Sequence, residues 1–405
     1  STVVSFDPRS KKTTSSAISL ALTMRETTRK SMSFPTRTIR RGMSATHRNP
    51  CALPIKPLNT RQHTQWFCHG DVGGGRGHVH VQQACGSNME GEWFIGVVVP
   101  ARNEAPFIRN VLETIPENVD CIVVVNDGST DGTSDEIQAA ECASNLIELR
   151  LDGQGVGAAI DAGHQALLAH FEGPFVSVVM AGDGQMNPED LRTLIAPVVS
   201  GHCDHAKGNR FAHVDGVGAM PKHRQMASKI LSAATTLASG QRIKDPQCGY
   251  TATSHEVLRE WDWQRSWKGY GYPNFWLVQL AKAGWRIKEI PVQSVYGREQ
   301  SGIRRLKFFT SVGIMLAIEH HRRNFSWLFN RNVTPHTLFA FIAYVIGWIS
   351  LLPFISTDVE REIVARGLHP VFLTLFAWLV AHFFDRTATA MVRELRINAK
   401  ARQET

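Results

Sequence analysis

Cysteine is scarce in this chain, with seven in 405 residues, at positions 51, 68, 85, 121, 142, 203 and 248. An odd number at irregular intervals makes no disulfide framework, so a bridge-stapled scaffold is excluded and a reducing compartment is expected. No glycine run is followed by Gly-Lys-Ser/Thr, which excludes a triphosphate-cradling loop of that kind. Acids are sparse in one region: residues 1–90 hold thirteen Lys/Arg against four Asp/Glu. The whole chain carries only +8, so the other 315 residues come to −1. A basic surface spread over the folded part is thereby excluded, and no nucleic-acid partner is expected. Nothing near the start has the shape of a secretory signal.

Residues 1–90 are rich in Ser, Thr, Arg and Gly without apolar periodicity, and they are expected to be disordered. The sequence does not open on Met; the expectation is upstream sequence with a start at Met89, an organelle-targeting peptide being the alternative. Cys68, His69, His78, His80 and Cys85 are zinc-type ligands in one tract, but their spacing matches no recognised zinc pattern. The glycine run at 73–77 follows no strand and reads as linker.

What is present begins at Phe94. Apolar runs at 94–99, 121–125, 145–149 and 175–180 alternate with helical patterns, which predicts an α/β fold whose mostly parallel sheet is covered on both faces. Each run ends in small, acidic or amide residues, where open α/β sheets bind ligands. Asp127 suits a base or ribose, and Gly128 and Ser129 let backbone N–H groups approach phosphate. Gly153-Gln154-Gly155-Val156-Gly157 is either a second such turn or a plain start to a helix. The last run stops at Gly182-Asp183-Gly184-Gln185, then Asn187 and Pro188 supply an N-cap and a first helical residue. That turn offers a carboxylate and an amide oxygen to a hard cation.

Three of these segments, Val99-Pro100-Ala101-Arg102-Asn103-Glu104, Asn126–Thr133 and Gly182–Gln185, resemble in order and spacing the family 2 glycosyltransferases of GT-A fold. The branch they resemble acts on polyprenyl phosphates, as dolichol-phosphate mannose synthase does, and the resemblance covers about residues 93–310. It implies a Rossmann-like nucleotide-sugar domain with Pro100, Ala101, Asn103, Glu104, Asp127, Gly128, Ser129, Gly153, Gly157 and Asp183 around a nucleotide-diphospho-sugar. It also implies that Asp183 and Gln185 hold Mg²⁺ or Mn²⁺. The family's Asp-x-Asp motif has its first acid where this chain has Ala181.

Further matches lie on the acceptor side. Lys207-Gly208-Asn209-Arg210 and Met220–Gln225 bring cations suited to phosphate, and by resemblance Arg210 and Arg224 are the ones expected to act. Asp245–Tyr250 resembles the element lining the sugar, and Arg304, in a basic loop with Arg298, is expected to clamp diphosphate. Many relatives carry a deprotonating acid in the stretch where this chain has Asn274 and Phe275. A phosphate monoester is already anionic and needs no such base.

Residues 308–329 mix apolar and charged side chains and read as an interfacial helix. Runs at 338–355 and 370–384 are at the short limit for spanning a bilayer, and a soluble hairpin of core helices is the alternative. Arg322, Arg323 and Arg331 before them, and Arg386, Arg393, Arg396, Lys400 and Arg402 after, put both ends on the cytoplasmic side. The expected divisions are a disordered segment 1–90, a transferase domain 91–307, an interfacial helix 308–332, a transmembrane hairpin 333–390 and a basic tail 391–405. The expected protein is a multi-pass membrane enzyme, its catalytic domain facing the cytoplasm. It would move a hexose, with inversion and metal, from a nucleotide diphosphate to polyprenyl phosphate. The alternatives are transfer to a glycan or glycolipid hydroxyl, or sugar-nucleotide binding without catalysis.

Overall fold

A computed structural model of the chain describes residues 2–5, 93–214, 220–295, 305–329, 333–351, 358, 361–362, 365 and 370–402. The Cys68–Cys85 tract, the glycines at 73–77, Arg298 and Arg304 lie outside the described residues.

β-Branched runs make the sheet. Strands β1 (Thr2–Ser5), β2 (Phe94–Ala101), β3 (Cys121–Asp127), β4 (Asn145–Leu151) and β5 (Phe175–Val179) are parallel, in the order β1-β4-β3-β2-β5. β6 (His205–Asn209), β7 (Thr251–Ser254) and β8 (Ile287–Pro291) complete it: β7 is antiparallel to β5 and β6, and β8 is parallel to β6. Every residue of β3 is buried, as a strand covered on both faces requires. The mixed, mostly parallel sheet is the expected one. β1 differs from expectation, since it falls in the segment read as disordered. Its Thr-Val-Val-Ser sequence has strand propensity, and its pairing covers an edge of β4.

The helices are α1 (Ile108–Glu113), α2 (Thr133–Ala139), α3 (Val156–His170), α4 (Leu191–Val199), α5 (Lys222–Ser239), α6 (His255–Glu260), α7 (Tyr272–Ala283), α8 (Arg305–Ser326), α9 (Pro335–Ile349) and α10 (Pro370–Ala401). Val97 and Val99 of β2 pack in one core with Leu112 of α1 and Leu194 of α4. Val98 packs in the other with Ile160 and Leu167 of α3 and Val278 of α7. α3 lies close on β2 because Gly163 has no side chain; a Cβ there would stand 2.2 Å from Val98 Cγ1.

The last helices form a separate apolar layer. α9 is opened by a capping box: Thr334 Oγ1 accepts from the Thr337 N–H at 3.3 Å, and Thr337 Oγ1 accepts from the Thr334 N–H at 2.9 Å. Small residues make its contact with α10. Ala340 packs with Ala388 and Ala343 with Ala381, and a Cβ on Gly347 would stand 2.2 Å from Trp378. Phe339, Ile342 and Ile346 of α9 and Phe372, Leu375, Phe376 and Leu379 of α10 remain exposed. α10, at 32 residues, is long and apolar enough to cross a membrane; α9, at 15, is shorter. α10 also differs from expectation at its far end, where it runs as helix through the segment expected to be a basic tail. There Lys400 Nζ stands 2.6 Å from Glu256 Oε2, and Arg396 Nη2 stands 2.7 Å from Glu260 Oε2. The Arg396 guanidinium also covers the ring of Trp285.

Candidate active site

Four parallel strands end along one edge, and the pairing of β5 with β2 continues past the regular strand. Met180 N–H donates to Val98 O at 3.0 Å and Gly182 N–H to Pro100 O at 3.1 Å. The Ala181–Asp183 turn is thereby held beside the Pro100–Glu104 segment. Asn103 adopts a left-handed φ of 57°, which amide side chains tolerate better than most. Its backbone N–H donates to Ser129 Oγ at 3.0 Å and its Oδ1 accepts from the Thr130 N–H at 2.8 Å. Glu104 N–H donates to Thr133 Oγ1 at 2.9 Å. So the two upstream motifs form one hydrogen-bonded unit.

Asp127, buried at the end of β3, reaches across to the next turn. Its Oδ1 accepts from the Gln154 N–H at 2.6 Å and its Oδ2 from the Gly155 N–H at 2.7 Å. Arg102 Nη1 stands 3.9 Å from the same carboxylate, and its guanidinium lies over Gly153. Gly157 is placed differently from a phosphate-binding glycine. Its N–H donates to Lys268 O at 2.9 Å, and a Cβ would stand 2.1 Å from Trp267 O. This glycine serves the close packing of the 267–268 segment on the start of α3.

The Gly182–Gln185 turn is shaped as the sequence predicts. Asp183 Oδ1 accepts from the Gln185 N–H at 3.1 Å, and Asn187 Oδ1 caps the following turn by accepting from the Glu189 N–H at 3.1 Å. A segment of distant sequence is fastened to it: Val295 N–H donates to Gln185 O at 3.0 Å, and Gln293 N–H donates to Asp190 Oδ2 at 2.7 Å. The Glu104 carboxyl is pushed up to about 7, by burial first and then by Asp183 and Asp131. Negative charge is thus crowded at this strand end, which a cation would relieve. Asp183 and Gln185 offer hard oxygen donors that fit Mg²⁺ or Mn²⁺. Among the described residues no group of three His, Cys, Asp or Glu side chains is set to hold a metal alone.

Among the residues expected on the acceptor side, Arg210 and Asp245 are joined. Arg210 Nε and Nη2 donate to the two Asp245 oxygens at 2.8 and 2.9 Å, and Arg210 N–H adds a third bond at 3.0 Å. Asp245 is fully buried, so it orients Arg210 and does not line the crevice as the sequence reading expected. Lys207 is buried as well, its Nζ donating to Cys248 O at 2.6 Å. Arg224 lies exposed in the first turn of α5, which carries Lys222 and no acid. Asn274 is fully buried, donating to Thr235 Oγ1 at 2.8 Å and accepting from Gln247 Nε2. The pairings of Thr235, Gln247 and Gln293 had no signal in the sequence. Their partners lie 27 to 106 residues away, and no local pattern encodes that pairing.

Residues 96–262 match the family model for glycosyl transferase family 2. An undecaprenyl-phosphate mannosyltransferase of Micrococcus luteus is 31% identical over 49% of this chain and 82% of its own length. A polyprenol monophosphomannose synthase of Mycolicibacterium smegmatis is 32% identical over 48% of this chain and 75% of its own. A crystal structure of glucosyl-3-phosphoglycerate synthase from Mycobacterium tuberculosis, with Mn²⁺ and uridine diphosphate, superposes with a TM-score of 0.42 at 19% identity, over 57% of this chain and 80% of that one. With its motifs joined at the strand ends and relatives of this identity aligned over most of their length, the chain belongs to glycosyl transferase family 2 and is a glycosyltransferase.

Proposed function

We propose that this glycosyltransferase moves a sugar, with inversion and with a divalent cation, from a nucleotide diphosphate to polyprenyl phosphate at a membrane surface. The observation that carries the choice of acceptor is Asn274. In the stretch where many relatives have a base stands a neutral amide, fully buried and bonded on both sides. A hydroxyl acceptor would lack its base, whereas a phosphate monoester arrives ionised. The start of α5 supports the same reading. Lys222 and Arg224 sit in the first turn without an acid, against the helix dipole, and an anion bound there would offset both.

In the reaction an acceptor phosphate oxygen attacks the anomeric carbon as its bond to the nucleotide diphosphate breaks, so configuration inverts and no proton need be removed. Pro100–Glu104 and Asp127–Ser129 bind the nucleotide. Asp183 and Gln185 would hold the cation, which when bound neutralises charge on the departing diphosphate. Arg210, fixed by Asp245, and Arg224 orient the two phosphate groups. Arg304 is proposed as a further clamp. Most of the acceleration then comes from holding two anions together in line.

The apolar layer supports the membrane part of the proposal. α9 and α10 contact each other through small residues and turn large apolar side chains outward, the pattern of helices packed within lipid. Both are proposed to enter the bilayer from the cytoplasmic side. Incubating membranes that contain the full chain with labelled nucleotide sugars and polyprenyl phosphate tests the whole reading. Cation-dependent label in the lipid phase is expected; label only in hydroxyl-bearing acceptors would sink it.

A further inference from the structure

Gly153, Gly155 and Gly157 put three glycines into five residues of the turn that enters α3, the first two with positive φ of 71° and 101°. Glycine backbone bends freely and is costly to fix. Unless something outside holds its shape, such a turn has to be ordered by its ligand, with a loss of affinity. Two buried carboxylates hold it. On one side Asp127 takes the Gln154 and Gly155 N–H groups. On the other Asp161 of α3, 2% exposed, fastens the 266–268 segment against the turn. Asp161 Oδ1 accepts from Ser266 Oγ at 2.9 Å and Oδ2 from Lys268 Nζ at 2.7 Å. Lys268 Nζ also donates to Trp263 O at 3.4 Å. The Lys268 carbonyl in turn accepts from the Gly157 N–H at 2.9 Å, and a Cβ on Gly155 would stand 2.5 Å from that oxygen. Burial pushes the Asp161 carboxyl up to about 6; Lys268 and then Ser266 oppose the rise.

The turn borders both upstream motifs. A Cβ on Gly128 would stand 2.8 Å from the Gly153 nitrogen, and the Arg102 guanidinium lies over Gly153. On the reading that Pro100–Glu104 and Asp127–Ser129 bind the nucleotide, we propose that Asp161 and Lys268 are positioning residues for the donor. Their ion pair keeps the 153–157 turn in the shape that the nucleotide diphosphate meets. Both act through Lys268 O and the turn, not by contact with the donor. Asp127 fixes the front of the turn and leaves its far end to Lys268. When the pair is broken, the far end has to be ordered as the nucleotide binds, and affinity falls.

The test is the nucleotide affinity of the full chain in detergent, at pH 8 so that Asp161 is ionised. Isothermal titration calorimetry with Mn²⁺ and each common nucleoside diphosphate in turn reads it. Lys268→Met should raise the Kd of whichever nucleotide the wild type binds roughly tenfold, about 1.4 kcal/mol. Lys268→Arg restores the charge and should stay within roughly threefold of wild type. Asp161→Asn keeps the shape, loses the charge and should weaken binding as Lys268→Met does. Lys268 is 48% exposed, so Lys268→Met should melt close to wild type even where Asp161→Asn does not. Lys400→Met breaks an ion pair of similar length, to Glu256 between α10 and α6, and should leave the Kd unchanged. An unchanged Kd in Lys268→Met and Asp161→Asn overturns the proposal. So does a Kd raised as far in Lys268→Arg, or in Lys400→Met, as in Lys268→Met. A wild type that binds none of the nucleotides removes the donor reading and this proposal with it. Wild-type binding that the variants leave undisturbed removes this proposal alone.

Discussion

Two side chains carry the sharpest expectations. Asp183 is the single acid of the proposed metal turn, because Ala181 stands where the Asp-x-Asp motif of the family has its first acid. Asp183→Asn should lower kcat by roughly a hundredfold or more, about 3 kcal/mol of transition-state stabilisation, with the folded state intact. Ala181→Asp should lower the concentration of Mn²⁺ needed for half-maximal rate, which a metal titration of initial rates would read. Unchanged metal dependence in both variants would mean that the cation is held elsewhere or not used. Asn274→Asp tests the acceptor assignment from the other side. It places a carboxylate between Thr235 and Gln247 in a fully buried position, at a cost of about 1–3 kcal/mol in stability. Thermal unfolding should show that loss, and transfer to polyprenyl phosphate should not rise. A rate gain would indicate that a general base was wanting after all.

Elements are tied together by one buried ion pair. Arg323 of α8 and Asp385 of α10, 0% and 1% exposed, approach to 2.6 Å. Arg323 also donates to Thr389 Oγ1 at 3.1 Å and to Leu237 O at 3.1 Å, and Trp327 Nε1 donates to Asp385 Oδ1 at 2.9 Å. Three helices and a 3₁₀ turn therefore meet on one guanidinium and one carboxylate. Arg323→Met leaves Asp385 buried and uncompensated, and should cost about 3–5 kcal/mol in unfolding measured in detergent. The double variant Arg323→Met, Asp385→Leu should recover most of that loss. Equal losses in single and double variants would show that the hydrogen bonds, not the charge, hold the joint. This pair also marks where sequence reading stops. β2 to β5 and the turn at 182–185 were legible because apolar runs and capping residues are local signals, and so was the alternation that makes the sheet mostly parallel. Arg323 read only as a flanking charge and Arg396 as part of a tail, because what decides their role is a partner 62 or 136 residues away. The buried pairing of Asp245 with Arg210, 35 residues apart, was hidden for the same reason.

Across the whole molecule, histidines buried in the second core should contribute a loss of stability in mild acid. His164 of α3 contacts Ser177 Oγ of β5 at 2.8 Å and packs on Trp276 of α7, while His205 of β6 contacts Thr253 Oγ1 of β7 at 2.9 Å. Burial pushes each imidazole down to about 3 from 6.5; Lys207 and His164 add to the effect on His205. Between those values the unfolded chain binds protons that the folded one refuses, so stability falls as pH drops from about 6.5 towards 3. Opposing terms exist. Burial raises Asp161, despite Lys268 and Ser266, to about 6, and Glu104 is raised to about 7. Both favour the folded state as pH falls through that window, so the total slope mixes signs. A difference between variants removes them. His164→Gln keeps a hydrogen-bonding side chain at Ser177 but no titrating group. The stability gap between wild type and this variant should therefore shift against wild type by about 2 kcal/mol on going from pH 7 to pH 5. Denaturant unfolding at the two pH values, followed by far-UV circular dichroism, reads the shift. A gap that stays constant would place His164 in contact with solvent, contrary to its burial between α3, β5 and α7.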